Sequence, residues 1–412
     1  MSFSENLSRL RLIARQSGPL GALRFGWRHF RERVWRVDVA ARYGFVSAPP
    51  FGALPEQPES GFERTVNWIV PVFFPGSGGH YTAFRLVKHL EGQGFRCRIA
   101  LNAGMGFADA AAARAAIHTH FLPLDAEVYL RPEDLPPANT AIATGWHTAY
   151  TLRRFQGARH KVYLVQDFEP YFTPPGSEYA LAEATYGFGF TGVTAGGWLA
   201  EVLARDYGME THAFGFSADR ALYRPDGPAP GRRPGVRRVL FYARPITPRR
   251  GFELGLLALQ HLCERRPDVE VVFVGWDLKR FRIPFRHVDA GVVPMTALPD
   301  LYRSCDAALV LSFTNLSLLP LELMACGVPV VSNRGPNVEW LLTPDNSVLA
   351  EPSVEGLSDA VAGVLDDGTR RARLIAGGLE RAARADAATE AEVLAGVLRR
   401  AATCPAPGDR VG

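Results

Sequence analysis

Short apolar runs alternate with amphipathic helical stretches twice along these 412 residues, and one Pro-, Gly- and Arg-rich break separates the two series. The first series has VNWIVPVF from Val66, CRIAL from Cys97, TAIATGW from Thr140, KVYLVQDF from Lys161 and GFTGVTA from Gly189. The second restarts at Arg237 with RRVLFYAR and continues through VEVVFVGW, FRHVDAG, AALVLS and VPVVS. Near-continuous apolar strands separated by helices call for a parallel sheet covered on both faces, with right-handed crossovers. A single core stops growing at roughly 250–300 residues, so two such series predict two Rossmann-like α/β domains with a cleft between them.

The expected division is a basic helical arm and linker over 1–62, a first domain over 63–225, a second over 226–370, and helices over 371–412 that pack back on the body. The break SADRALYRPDGPAPGRRPG, Ser217 to Gly235, is read as the boundary and hinge.

Charge is concentrated at one end. Nine arginines against three acids lie between residues 5 and 45, although the whole chain carries only +4. Phe25, Trp27, Phe30 and Trp35 are interleaved with them, which suits a basic amphipathic helix touching an anionic membrane or a glycolipid, or an arm packed on the body with a solvated arginine face. No nucleic-acid motif accompanies the charge, so no nucleic-acid partner is expected. Five scattered cysteines without CxxC spacing argue against a disulfide framework or a zinc site and point to a reducing cytosol.

One carboxylate stands out. Glu322 sits in NLSLLPLELMACGVPVVSNRG, Asn315 to Gly335, a run otherwise dominated by Leu, Pro, Val, Ala and Cys. The local signals predict a short helix from Leu318 to Cys326 with Ser317 as N-cap, Pro320 in the first turn and Gly327 just past the end. A glutamate is almost never buried without a partner, so Glu322 is expected to accept hydrogen bonds from a ligand or to pair with an arginine. A ribose beneath a diphosphate at the carboxyl ends of parallel strands would supply such donors.

Further candidates lie at other strand ends. In YARPITPRRGFELGL, Arg244 ends a strand and Arg249 and Arg250 precede a helix; arginine forks match phosphate oxygens and stay charged at any working pH. The turn Gly76-Ser-Gly-Gly-His80 lacks the third glycine of a dinucleotide fingerprint, since Tyr81 stands there, and alone is a strand-to-helix turn. Asp167 and Glu169 in VQDFEPYF are read as turn residues, as cleft residues or, on a rival fold, as a metal-binding D-x-D pair. His147 is a structural or a cleft residue, and His118 has no acidic neighbour, so no metal is expected.

Together, FFPGSGGHYTAFRLVKHL, TGWHTAYT, VYLVQDFEPYFTPPG and LSLLPLELMACGVPVVSNRGPNVEWLL resemble glycosyltransferase family 4, enzymes of the GT-B fold. They are similar to bacterial dTDP-L-rhamnose-dependent rhamnosyltransferases of S-layer and O-antigen glycan synthesis, over roughly residues 63–365. The resemblance implies metal-free, cofactor-free retaining transfer of a sugar, L-rhamnose from dTDP-L-rhamnose as the first choice, to a glycan or lipid-linked glycan acceptor at the inner face of the membrane. It places Gly78, Gly79, Arg249, Thr314, Asn315, Leu316, Ser317 and Glu322 on the donor, Asp167, Arg244 and Arg250 at the reaction, and His80, His147 and Glu169 on the acceptor side. Arg250 is favoured over Arg249 for the diphosphate. The family pattern has two glutamates eight positions apart; Thr314 stands where the first belongs, which puts the sugar contacts there in doubt. The alternatives are a transferase using GDP-mannose or a UDP-sugar, a nucleotide-sugar epimerase, and a non-catalytic binding protein.

Overall fold

The computed structural model describes residues 38–73, 77–102 and 106–403. The chain divides into two compact units, 1–49 and 50–412. Of the first unit only the end is described, a helical turn over Val39–Tyr43 that begins where Asp38 Oδ1 accepts the Ala41 N–H at 2.8 Å. The basic stretch read as a membrane-contacting arm lies otherwise outside the described residues.

The second unit holds two all-parallel sheets. The first comprises β1 (Thr65–Pro71), β2 (Arg96–Asn102), β3 (Glu127–Tyr129), β4 (Ala138–Ala143), β5 (Ala158–Val165), β6 (Thr191–Ala195) and β7 (Thr211–Phe214), in the order β3-β2-β1-β4-β5-β6-β7. Its crossovers contain α1 (Gly78–Gly92), α2 (Ala110–His120), α3 (Trp146–Arg154), α4 (Ser177–Ala184) and α5 (Gly197–Tyr207). The second comprises β8 (Arg237–Tyr242), β9 (Val269–Val274), β10 (His287–Asp289), β11 (Ala307–Leu309), β12 (Val330–Asn333) and β13 (Ser347–Ala350), in the order β10-β9-β8-β11-β12-β13. Here α6 (Phe252–Arg265), α7 (Leu298–Arg303), α8 (Leu319–Ala325) and α9 (Pro336–Glu339) precede α10 (Val354–Asp366), α11 (Gly368–Arg384) and α12 (Ala387–Thr403).

Burial follows the pleat. Along β1, Val66, Trp68 and Val70 enter one core while Ile69 enters another with Ala100, Ala141 and Ala143, because alternate residues face opposite sides of a strand. Strand β8 repeats this, sending Val239 and Phe241 to one face and Leu240 to the other. Helix α6 lies close over β8 because Gly255 has no side chain: a Cβ there would stand 2.2 Å from the Phe241 ring.

Two features concern the junctions between the domains. The segment after Tyr223 is not loose: Arg303 donates to the carbonyls of Arg224 and Pro228, and Arg232 to Asp306 Oδ1 and the carbonyls of Arg303 and Cys305, so it belongs to the second domain. The open depression of about 730 Å³ beside it, lined by Arg232, Arg237, Arg266, Asp268 and Asp306, lies at the amino ends of the strands. Helix α12, though last in the chain, returns to the first domain and lies against β7 and α1.

Candidate functional site

In an open parallel sheet the ligand crevice forms at the carboxyl ends of the strands, where strand order reverses. That point falls between β1 and β4 in the first sheet and between β8 and β11 in the second. Arg244 follows β8, residues 312–317 follow β11, the Gly-rich turn follows β1 and Gly145 follows β4. The sequence candidates therefore share one end of each sheet.

Asp167, which follows β5, joins the two domains and is 8% exposed. Its Oδ1 accepts the Asn315 N–H at 2.7 Å and the Phe168 N–H at 2.9 Å, and its Oδ2 accepts the Thr314 hydroxyl at 3.0 Å. Arg249 Nε stands 3.4 Å and Arg250 Nη2 4.0 Å from the same Oδ2. Asn315 completes the seam: its Nδ2 donates to the carbonyls of Gln166 and Ala195, and its Oδ1 accepts from Trp340 Nε1 at 2.9 Å. Gly196 permits this approach, since its φ of +88° suits glycine and a Cβ would meet the Trp340 ring at 2.6 Å.

These contacts revise the donor assignments. Thr314 and Asn315 are 1% and 0% exposed, and their side chains dock the second domain onto the first instead of lining open space. Leu316 is core. Ser317 does not cap the helix: α8 spans Leu319–Ala325, and its N-cap is Leu318, already in helical conformation at φ −66° and ψ −22°. A capping serine needs extended backbone at the cap, and residues 312–315, tied to Asp167, Arg250 and Asn337, bring the chain in differently. Gly78 and Gly79 begin α1 with exposed backbone; the Gly79 carbonyl accepts from Gln166 Nε2 at 3.0 Å, and Gly76 lies outside the described residues.

The three arginines differ in their commitments. Arg250 Nη1 donates to Ser312 Oγ at 2.7 Å and to the Asn315 carbonyl at 3.0 Å, fixing the loop after β11. Arg249 lies 3.9 Å over the Phe172 ring; burial pulls its pKa down, opposed by Asp167. Arg244 is half-buried between Tyr242 and Trp276, with one long contact of 3.5 Å to the Gly275 carbonyl. Arg249 and Arg250 thus flank the Asp167 carboxylate, and Arg244 stands close enough to Arg249 to help lower its pKa.

Glu322 has no arginine partner among the described residues. The Tyr302 hydroxyl donates to its Oε2 at 3.2 Å, and the buried Tyr223 hydroxyl, stacked ring to ring with Tyr302 at 6.0 Å, lies beside it without a hydrogen-bond partner of its own. Burial raises the Glu322 pKa to about 7, against the stabilising effect of the tyrosines.

Two residues assigned to the acceptor side are occupied by the fold. His80 pairs Nδ1 with Ser77 Oγ at 2.7 Å and Nε2 with the Pro71 carbonyl at 3.2 Å, so the ring pins the Gly-rich turn to β1. Glu169, 7% exposed, accepts the Trp146 N–H at 2.6 Å and the Tyr163 hydroxyl at 2.9 Å, capping α3; burial raises its pKa to about 7. His147 is exposed on the first turn of α3, its ring 3.5 Å from that of Trp146. Among the described residues no three His, Cys, Asp or Glu side chains gather as metal ligands.

Two Rossmann-like domains with seven and six parallel strands define the GT-B fold of glycosyltransferases. The chain aligns with sucrose-phosphate synthase of Thermosynechococcus elongatus at a TM-score of 0.63 and 15% identity, covering 82% of this chain and 98% of that one. It aligns with Anabaena HepE in complex with UDP at 0.61 and 15% identity, covering 82% and 100%. Residues 237–362 match the family model described as WsaF, C-terminal domain. Over 392 residues, 91% of this chain, it is 37% identical to the O-antigen biosynthesis protein RfbC of Myxococcus xanthus, of whose length it spans 30%.

Proposed function

We propose that the chain is a glycosyltransferase of cell-surface glycan assembly that moves a sugar from a nucleoside diphosphate to a glycan acceptor, with L-rhamnose from dTDP-L-rhamnose as the donor tested first. The observation that carries this reading is the grouping of Arg244, Arg249 and Arg250 at the strand-order reversal of the second sheet, with Glu322 on the same side and free of any cationic partner among the described residues. The likeness to RfbC and the UDP held by HepE support it.

In this mechanism the departing diphosphate spreads its charge over the three guanidinium groups, and the ribose hydroxyls donate to Glu322. Preorganised cations in a water-poor cleft stabilise the leaving group without a reorganisation cost, so metal is not required. The acceptor oxygen attacks from the face the diphosphate leaves and passes its proton to the departing phosphate oxygen, which retains the anomeric configuration.

A thermal-shift panel of dTDP, UDP, GDP and ADP, run with EDTA, tests the reading. One nucleotide should stabilise the fold by about 2.7 kcal/mol at a hundredfold excess over its dissociation constant. No shift with any of the four rejects it, and a preference for GDP moves the donor to a mannose nucleotide.

The Glu322 carboxyl adds a pH signature. Only its ionised form accepts two hydroxyl hydrogen bonds, and with a free-state pKa of about 7 it is largely neutral at pH 6 and ionised at pH 8. Nucleotide affinity should therefore rise from pH 6 to 8 in the wild type and rise less in Glu322→Gln, which retains only the titration of the phosphate. Parallel pH curves for the two proteins would remove Glu322 from the nucleotide.

A further inference from the structure

Among the described residues Phe, Trp and Tyr side chains are nearly all sheltered. Only Tyr171, Phe172, Phe281 and Phe313 of these are exposed, and Tyr171 and Phe172 are consecutive residues of which the second packs against one arginine of the cluster. Phe172 lies under the Arg249 guanidinium, Phe313 donates its N–H to the Arg249 carbonyl at 2.9 Å, and Tyr171 adjoins Phe172. Exposed apolar surface gathered beside a charged cleft marks a binding surface more often than scattered exposure does.

The turn that carries Tyr171 and Phe172 is held rigidly. It is a 3-10 turn over Glu169–Phe172 with Pro170 buried in its first positions, and Pro174 and Pro175 follow it. Its base is Glu169, a buried carboxylate engaged by Trp146 and Tyr163, while the Glu169 N–H donates to the Tyr186 hydroxyl at 3.0 Å. Tyr171 stands edge to face on Phe168 at 4.6 Å, with Tyr179 beyond it at 6.4 Å. The fold thus spends a buried acid on fixing a turn whose outward residues are two rings. Such prior ordering lowers the entropy lost when a ligand settles on them.

We propose that Tyr171 and Phe172 form a stacking platform for a pyranose ring of the glycan acceptor, with Phe313 bordering it from the second domain. This rests on the transferase reading and names the part of the site that takes the acceptor. The flat electron-rich face of an aromatic ring attracts the polarised C–H bonds on one face of a sugar, and the parallel nucleotide measurements below separate this from stacking of a nucleobase. Glu169, assigned by sequence to the acceptor directly, acts on it through this turn.

The test uses the full chain and a panel of octyl glycosides ending in rhamnose, mannose, glucose or N-acetylglucosamine, with binding read by saturation-transfer NMR. Dissociation constants for UDP and dTDP are measured in parallel by calorimetry. The expected result is that at least one glycoside binds, that Tyr171→Ala weakens it tenfold or more, that Tyr171→Trp retains it, and that nucleotide binding stays within twofold. Because Tyr171 is exposed, an unchanged Tm confirms folding. Absence of glycoside binding to the wild type, equal affinity in Tyr171→Ala, or a matching loss of nucleotide affinity overturns the platform. Nucleotide binding by the wild type with no effect of Tyr171 sinks the platform alone, whereas absence of nucleotide binding sinks the transferase reading beneath it.

Discussion

On the transferase reading, Arg250→Ala is expected to lower turnover by roughly 10²–10³, the scale of losing one preorganised charge donor. The side chain has two tasks that alanine removes together: it places a positive charge in the cleft, and through Ser312 Oγ and the Asn315 carbonyl it holds the loop that meets the first domain. Arg250→Lys separates them. A lysine keeps the charge but has one nitrogen where Arg250 uses Nη1 for both loop oxygens and Nη2 beside Asp167, so it should recover only part of the rate. Steady-state transfer assays decide: a near-normal kcat in a folded Arg250→Ala removes Arg250 from the reaction.

Asp167→Asn should act with opposite signs on binding and on turnover. The carboxylate is a resident anion among Arg249 and Arg250, and on the proposed reading an incoming diphosphate would compete with it for both. Removing one charge near two guanidinium groups at an effective dielectric of about 20 is enough to tighten diphosphate binding about fivefold or more. The amide keeps an oxygen for the Asn315 N–H but unsettles the seam between the domains, and misplacement of about 1 Å costs on the order of 10² in rate. Calorimetry with UDP and dTDP beside transfer assays reads both effects. Weaker nucleotide binding in Asp167→Asn would mean that Asp167 holds the donor directly.

Much of the architecture was legible because burial on both faces leaves a periodic trace. The runs at Val66, Lys161 and Arg237 are apolar for long enough to be seen, and they are interior strands of their sheets. Strands β3, β7 and β13 escaped because each has only three or four residues and closes or nearly closes a sheet edge, where apolar demand is weak. The site was legible by position and not by partner. Arg244 and Arg250 lie in the connection that follows β8, and Glu322 in the first turn of α8. Nothing local announces that Asp167 finds Asn315, 148 residues away, or that Glu169 faces inward to the first turn of α3. The sign of Glu169 was one that sequence carries faintly: an acid before a proline, in a turn crowded with rings.

The return of α12 to the first domain governs how the molecule can move and how it can be cut. The polypeptide passes from one lobe to the other near Ser217–Tyr223 and back near Arg384–Ala387, two strands of chain in place of one. Two covalent crossings restrain relative displacement of the lobes more than one would. The first lobe is therefore not a contiguous stretch of chain, whereas the second is: ending the polypeptide after α11 would uncover the surface that Leu394, Val397 and Leu398 shield on the first lobe.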